Sequence, residues 1–185
     1  MLNTILIAVA VIVVLFVIIV ALRPGEFRVE RSATMRAPAG VVFDQVNDLR
    51  KWEGWSPWEK VDPAMKKTFA GPSSGVGASY SWVGNNKVGE GRMTVVESRP
   101  NDLIRLKLEF FKPFKATNVG EFKFESKENQ TTVAWSMSGE CNFMMKAMGL
   151  FMNCDKMCGR EFEKGLAQMK SLAEAAKPHA AAQAA

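Results

Sequence analysis

"DLIRLKLEF", residues 102–110, alternates residue by residue. Ile104, Leu106, Leu108 and Phe110 project to one side, and Arg105, Lys107 and Glu109 to the other. A two-residue period belongs to an extended strand with one dry face and one wet face. The pattern returns downstream in "ATNVGEFKFES" (116–126), with Phe122 and Phe124 in phase, and in "QTTVAWSMSG" (130–139), with Val133, Trp135 and Met137. Upstream, "ASYSWVG" (78–84) sets Tyr80 and Trp82 on one face, and "GEGRMTVVESRP" (89–100) follows. The gaps hold short turn-forming runs such as "NNK" (85–87), which predict an antiparallel meander.

Such a sheet must bury its dry face on another layer. The segment from Cys154 onward supplies one: Cys154, Cys158, Phe162, Leu166, Met169 and Ala173 fall on a single helical stripe, with Glu161, Lys164, Lys170 and Glu174 on other faces. It is the only helix of matching length after the strands. A shorter apolar piece, "FMMKAMGLFMN" (143–153), precedes it. At the other end of the domain, "FRVERSATM" (27–35) reads as a strand whose inward face also carries Arg31, out of pattern. Val42, Phe43 and Val46 then mark a helix from about Pro38 to Asn47, with proline near its start. The expected order is strand, helix, a run of strands, long helix: an α+β domain.

Residues Ile5–Leu22 carry no polar side chain. At 1.5 Å per residue this helix is roughly 27 Å long, close to the hydrocarbon thickness of a bilayer. No basic side chain precedes it, and Arg23-Pro24-Gly25 follows directly, which favours an uncleaved single-pass anchor over a signal peptide. Arg23, Arg28, Arg31 and Arg36 follow the span, so the positive-inside rule places the soluble domain on the cytoplasmic side. Three cysteines, Cys141, Cys154 and Cys158, show no disulfide framework and agree with that side. The formal net charge of +5 is interspersed rather than concentrated in a stripe, which argues against nucleic acid and suits an anionic leaflet.

The residues exclude most catalytic chemistry. The single histidine, His179, lies in the alanine-rich tail, so a Cys-His dyad is excluded. Cys154 and Cys158 have neither a second pair nor a folded histidine to complete a zinc site. The glycines of "GPSSGVG" (71–77) lie between strands and lack the Lys-Ser/Thr of a phosphate loop, so they read as a turn. Glu90 and Glu97 are at odd spacing on one strand, hence on opposite faces. No catalytic residue, metal or cofactor is expected. What stands out is aromatic and methionine content: sheet-face rings on one side, and Met144, Met145, Met148, Met152, Met157 and Met169 from the helical region opposite. "KWEGWSPWEK" (51–60) adds Trp52, Trp55 and Trp58 in a short charged segment.

"RSATMRAPAGVVFDQVNDLRKWEGWSPW", "GPSSGVGASYSW", "TTVAWSMSG" and "CGREFEKGLAQMKSLAE" together resemble the START-like superfamily (SRPBCC, or Bet v 1-like), in its polyketide cyclase/dehydrase and lipid-transport branch. The resemblance implies a helix-grip fold, with about seven antiparallel strands curled around the long C-terminal helix and a hydrophobic cavity between them. The expected cavity is lined by Tyr80, Trp82, Leu106, Leu108 and Phe110, by Phe122, Phe124, Trp135 and Met137, and by Met148, Phe162 and Leu166 from the helices. Trp52, Trp55 and Trp58 are expected to cap its mouth, and Arg31 is a candidate charge within it. The expected layout is an anchor at 1–25, the helix-grip domain at 26–176 and a disordered tail at 177–185. The function expected is a membrane-tethered carrier of a lipophilic small molecule. The alternatives are a cyclase- or dehydratase-type enzyme using the same cavity, and a non-catalytic, co-chaperone-like interaction module.

Overall fold

A computed structural model describes residues 1–150 and 154–176. The expectation of a disordered tail at 177–185 lies outside the described residues, as does Met152. Helix α1 (Leu2–Ala21) is followed by strand β1 (Glu26–Met35), helix α2 (Ala39–Asn47) and the short α3 (Trp52–Trp55), which is flanked by 3-10 turns at Leu49–Lys51 and Pro57–Lys60. Six strands come next: β2 (Lys66–Ala70), β3 (Ser79–Val83), β4 (Glu90–Arg99), β5 (Leu103–Lys112), β6 (Ala116–Lys127) and β7 (Gln130–Glu140). Helices α4 (Phe143–Met148) and α5 (Cys154–Ala175) close the chain.

The seven strands form one sheet in the order β1-β7-β6-β5-β4-β3-β2, every pair antiparallel. Only β1 is out of sequence order; it pairs with the last strand, so both ends of the domain meet at one sheet edge. This is the α+β helix-grip architecture, with α5 across the concave face. The stripe on α5 does what its spacing implies: Phe162, Leu166, Met169 and Ala173 are at most 2% exposed, and Cys158 is half-buried. Each large apolar side chain buried in this way is worth about 1.5–3 kcal/mol relative to exposure.

Alternation along β5 holds: Ile104 and Leu106 are buried, and Leu108 and Phe110 half-buried. Along β4 it breaks. The pairing passes from Val95↔Leu106 to Glu97↔Arg105, skipping Val96. This extra residue reverses the phase, so Glu90 and Glu97 both lie on the convex face rather than on opposite faces. There Glu90 pairs with Lys112 at 2.7 Å and Glu97 with Arg105. Odd spacing implies opposite faces only in a strand without a bulge.

Helix α1 is long and apolar enough to cross a bilayer, with mean hydropathy 3.5, and Val20 is its one buried residue. Its C-terminal end packs on α4. The methionines divide unexpectedly. Met169 is in the core, whereas Met144 and Met148 are 59% and 40% exposed because α4 turns toward α1 rather than toward the concave face, and Met157, on α5 but off its buried stripe, is 51% exposed.

Candidate functional site

The register orders the concave face into rows running across the sheet. The first full row, toward α1, sets Phe27, Gly139, Asn118, Leu108, Met93 and Tyr80 side by side, with Ala116, Phe110, Gly91 and Trp82 along its outer edge. The next row is Val29, Met137, Gly120, Leu106 and Val95, and the third is Arg31, Trp135, Phe122 and Ile104. Beyond it, Phe124 and Val133 complete the end far from α1.

The third row is filled. Trp135 is sandwiched: Phe122 stacks at 4.9 Å and 22° on one side, and Phe162 of α5 at 4.1 Å and 6°. Trp52 and Trp55, 4.5 Å apart, meet Phe122 and Trp135 edge-on. Trp58, half-buried, meets Trp135 and Phe162 in the same way. Offset and edge-to-face contacts at these separations are favourable beyond the area they bury. Trp52 Nε1 donates to Val46 O and Trp55 Nε1 to Gln45 O, both at 2.9 Å, so α3 is pinned to the end of α2. Trp52 and Trp55 are therefore interior residues at the centre of the grip. A hydrophilic neighbourhood in sequence concealed this: Glu53 and Lys60 are exposed and Lys51 pairs with Asp44, whereas Glu59 turns in to Lys67 and the Tyr80 hydroxyl.

Arg31 points inward, as its place in β1 implies, but it serves α5. Its Nε donates to Glu163 Oε1 at 2.8 Å, and its Nη atoms donate to both carboxylate oxygens of Asp155, at 3.0 and 3.1 Å, and to the Asp155 carbonyl at 3.2 Å. The guanidinium lies on Gly159, where a β-carbon would collide with Nη2 and Cζ. Hydrogen bonds to the Asp155 and Glu163 carboxylates push the Arg31 pKa up, and the bond from Arg31 holds Asp155 below the ordinary carboxylate range. The residue is a clamp between β1 and the first turns of α5.

A second polar cluster edges the face. Lys67 Nζ reaches Glu59 Oε2 at 2.5 Å, and the Tyr80 hydroxyl donates to Glu59 Oε1 at 3.2 Å. Burial first, and then the Glu59 charge, raises the Tyr80 pKa, so the phenol stays protonated. For Lys67, burial opposes the ammonium, but Glu59 outweighs it and the pKa is raised. These groups satisfy one another and tie the Pro57–Lys60 turn to β2 and β3.

The end nearest α1 is different. Phe27, Leu108, Phe110 and Met137 are only half-buried there, with Trp82 8% exposed beside Phe110 at 5.8 Å. Among them Asn118 is 6% exposed; its Nδ2 lies 4.0 Å from Met137 Sδ, and its Oδ1 has no hydrogen-bond partner. That oxygen lies over Gly139, beside the Phe27 ring, in space a β-carbon at 139 would occupy. An unpaired buried acceptor costs about 1–3 kcal/mol. Sequence reading missed Asn118, although the signal was present: it is in phase with Phe122 and Phe124, two residues before Gly120, and is the polar member of an inward set.

Of the residues expected to line a cavity, Leu108, Phe110, Met137 and Trp82 lie toward this half-covered end, with only Trp82 and Phe110 in ring contact. Leu106, Phe122, Phe124, Trp135, Phe162 and Leu166 are packed in the interior, and Tyr80 sits at its edge with Glu59. Met148 is on α4, apart from them. Two open depressions are present: one of about 590 Å³ between the Trp55–Val61 segment and the outer side of α5, and one of about 670 Å³ at the end nearest α1, lined by Gly25–Phe27, Lys115–Thr117, Ser138–Asn142 and Met145. No group of three or more His, Cys, Asp or Glu that could hold a metal ion occurs among the described residues.

A curved, seven-stranded antiparallel sheet gripping a long terminal helix on its apolar face defines a Bet v 1-like domain. Residues 26–174 match the family described as "Polyketide cyclase / dehydrase and lipid transport", and the chain belongs to that family. Among solved structures it is similar to the Aha1 dimer from Colwellia psychrerythraea (16% identity, TM-score 0.58, 82% of this chain and 98% of that one). It is also similar to the di-domain ARO/CYC BexL from the BE-7585A biosynthetic pathway (16%, 0.57, 85% and 53%). A third similar structure is major latex-like protein 151 from Panax ginseng (12%, 0.55, 81% and 99%). At these identities the likeness is one of fold. No curated protein matches the chain.

Proposed function

We propose that this protein is a membrane-tethered binding module for a lipophilic small molecule (a lipid, or a polyketide- or isoprenoid-like compound) held at the half-covered end of the grip. The observation that carries the reading is the position of Asn118. A buried acceptor without a donor, ringed by Phe27, Leu108, Phe110 and Met137, suits a largely apolar ligand with one hydroxyl or amide donor. Family membership supports a lipophilic ligand. Helix α1 is the tether, and the arginines after it favour the cytoplasmic face. The packed aromatic end acts as the rigid floor against which the other end opens. No residue is assigned a catalytic role.

The test is extraction. The full chain, exchanged into nanodiscs of one synthetic lipid, is extracted with organic solvent beside two variants. Leu108→Trp fills the half-covered end, and Val76→Trp alters a loop at the opposite end of the sheet. A compound stoichiometric in the wild type and Val76→Trp but missing from Leu108→Trp supports the reading. Identical extracts from all three overturn it. A compound converted to a new product by the chain points to the cyclase-type alternative instead.

A further inference from the structure

The end of the sheet nearest α1 carries an exposed apolar surface that neither the fold nor the ligand site uses. Two segments build it. The β5–β6 turn, "FFKPFK" (110–115), presents Phe111 at 43% and Phe114 at 62% exposure. Phe111 is thrown outward because the pairing passes from Gly91↔Phe110 to Glu90↔Lys112 and skips it. The second segment is α4, whose Phe143, Met144 and Met148 are 51%, 59% and 40% exposed. Gly25, Lys115 and Met145 line one depression, so the exit of α1, the β5–β6 turn and α4 are neighbours. Lys112 and Lys115 flank the turn phenylalanines, Lys146 sits within α4, and Arg23 ends α1. The acidic groups at this end include Glu26, Glu140, Glu109 paired with Lys107, and Glu90 paired with Lys112.

We infer that this surface is a second bilayer contact: Phe111, Phe114, Phe143 and Met144 enter the headgroup–acyl boundary of an anionic leaflet, and Lys112, Lys115 and Lys146 meet its lipid phosphates. Covalent geometry selects the occupant. Only Leu22–Gly25 separate α1 from β1, and four extended residues reach at most about 14 Å, so this end cannot leave the membrane surface. Aromatic and methionine side chains with flanking lysines are the composition of an interfacial contact. Clusters of exposed apolar groups on a domain mark a binding surface rather than ordinary exposure. The inference rests on the tethering reading above. Its consequence is orientation: the row of Phe27, Asn118 and Leu108 lies at this same end, so docking turns the half-covered part of the grip toward the lipid.

Site-specific photo-crosslinking in the full chain tests it. p-Benzoylphenylalanine replaces Phe114 or Met144, with Val13 in α1 and Val76 at the far end as references. The chain is reconstituted in vesicles of phosphatidylcholine with phosphatidylglycerol, and adducts are identified by mass. Lipid adducts at 114, 144 and 13, with none at 76, are expected. Changing Lys112, Lys115 and Lys146 to Gln lowers the docked-to-undocked ratio about fivefold per lysine, read as a falling adduct yield at 114. Lipid adducts at 13 without any at 114 or 144 overturn the inference and leave the tether standing. Adducts from 114 to a second copy of the chain also overturn it, by showing a self-association face. No lipid adduct at 13 removes the tether and the inference together.

Discussion

The indole of Trp135 and the phenyl ring of Phe162 lie 4.1 Å apart and within 6° of parallel, so sheet and helix touch through a face-to-face aromatic pair. With Phe122 on the other side of the indole, the contact leaves no space for a ligand at that level of the grip. Phe162→Ala should cost about 3–5 kcal/mol, the range for truncating a buried aromatic. Urea unfolding of the detergent-solubilised chain, followed by tryptophan fluorescence, measures it. A cost below about 1 kcal/mol would mean that the helix is not seated on this ring.

Trp55 is 2% exposed and hydrogen-bonded to the Gln45 carbonyl. Trp55→Ala is expected to lower stability by about 3–5 kcal/mol and to lower ligand retention in parallel. Retention lost at unchanged stability would instead place Trp55 in direct contact with the ligand.

The clamp at Arg31 depends on the small size of Gly159. Gly159→Ala drives a methyl group into the guanidinium and is expected to destabilise the fold by about 1–3 kcal/mol, despite alanine's better helix propensity. In Arg31→Leu the obstruction is a flexible side chain, so adding Gly159→Ala there should cost less than in the wild type. A double-mutant cycle reports that non-additivity; additive losses would refute the contact.

Asp155 makes the clamp pH-dependent. Its folded pKa is lowered, chiefly by the hydrogen bond from Arg31, while Arg31 stays charged throughout. The contribution is therefore complete above the unfolded carboxylate value of about 3.9 and is lost as pH falls through the lower folded value. Stability measured from pH 6 down to about 2 should decline less steeply in Asp155→Asn than in the wild type, with the difference confined to the acidic end. Parallel curves would show that the pair contributes nothing to folding.

Asn118 separates function from stability. Asn118→Val puts an apolar side chain of more nearly the same size in place of the amide and removes the unpaired oxygen, so stability should hold or rise by about 1 kcal/mol. On the proposed binding role, retention of a lipophilic compound extracted with the wild type should fall. A variant that is destabilised and retains ligand would show that the amide is a structural group.

Repeating units of two and of about four residues made most of the architecture readable. The phase of Ile104, Leu106, Leu108 and Phe110 places one face of β5 inward, and Phe162, Leu166, Met169 and Ala173 fix the buried stripe of α5 whatever they pack against. The site was less legible. Ligand-lining and core-filling aromatics have the same composition and the same phase, so Trp82 and Phe122 could not be told apart in the chain; one lies at the half-covered end and the other at the filled centre. The bulge at Val96, which moves Glu97 to the convex face, is likewise set by pairing with β5.

From sequence alone came the phases of the unbulged strands, the buried stripe of the final helix and an apolar N-terminal span, because each is written in neighbouring residues through backbone periodicity. Tertiary structure decided that Trp52 and Trp55 are interior, that Arg31 fastens α5 and that Asn118 sits among half-buried rings. These depend on register between strands distant in the chain, where a shift of one residue exchanges the two faces of a sheet.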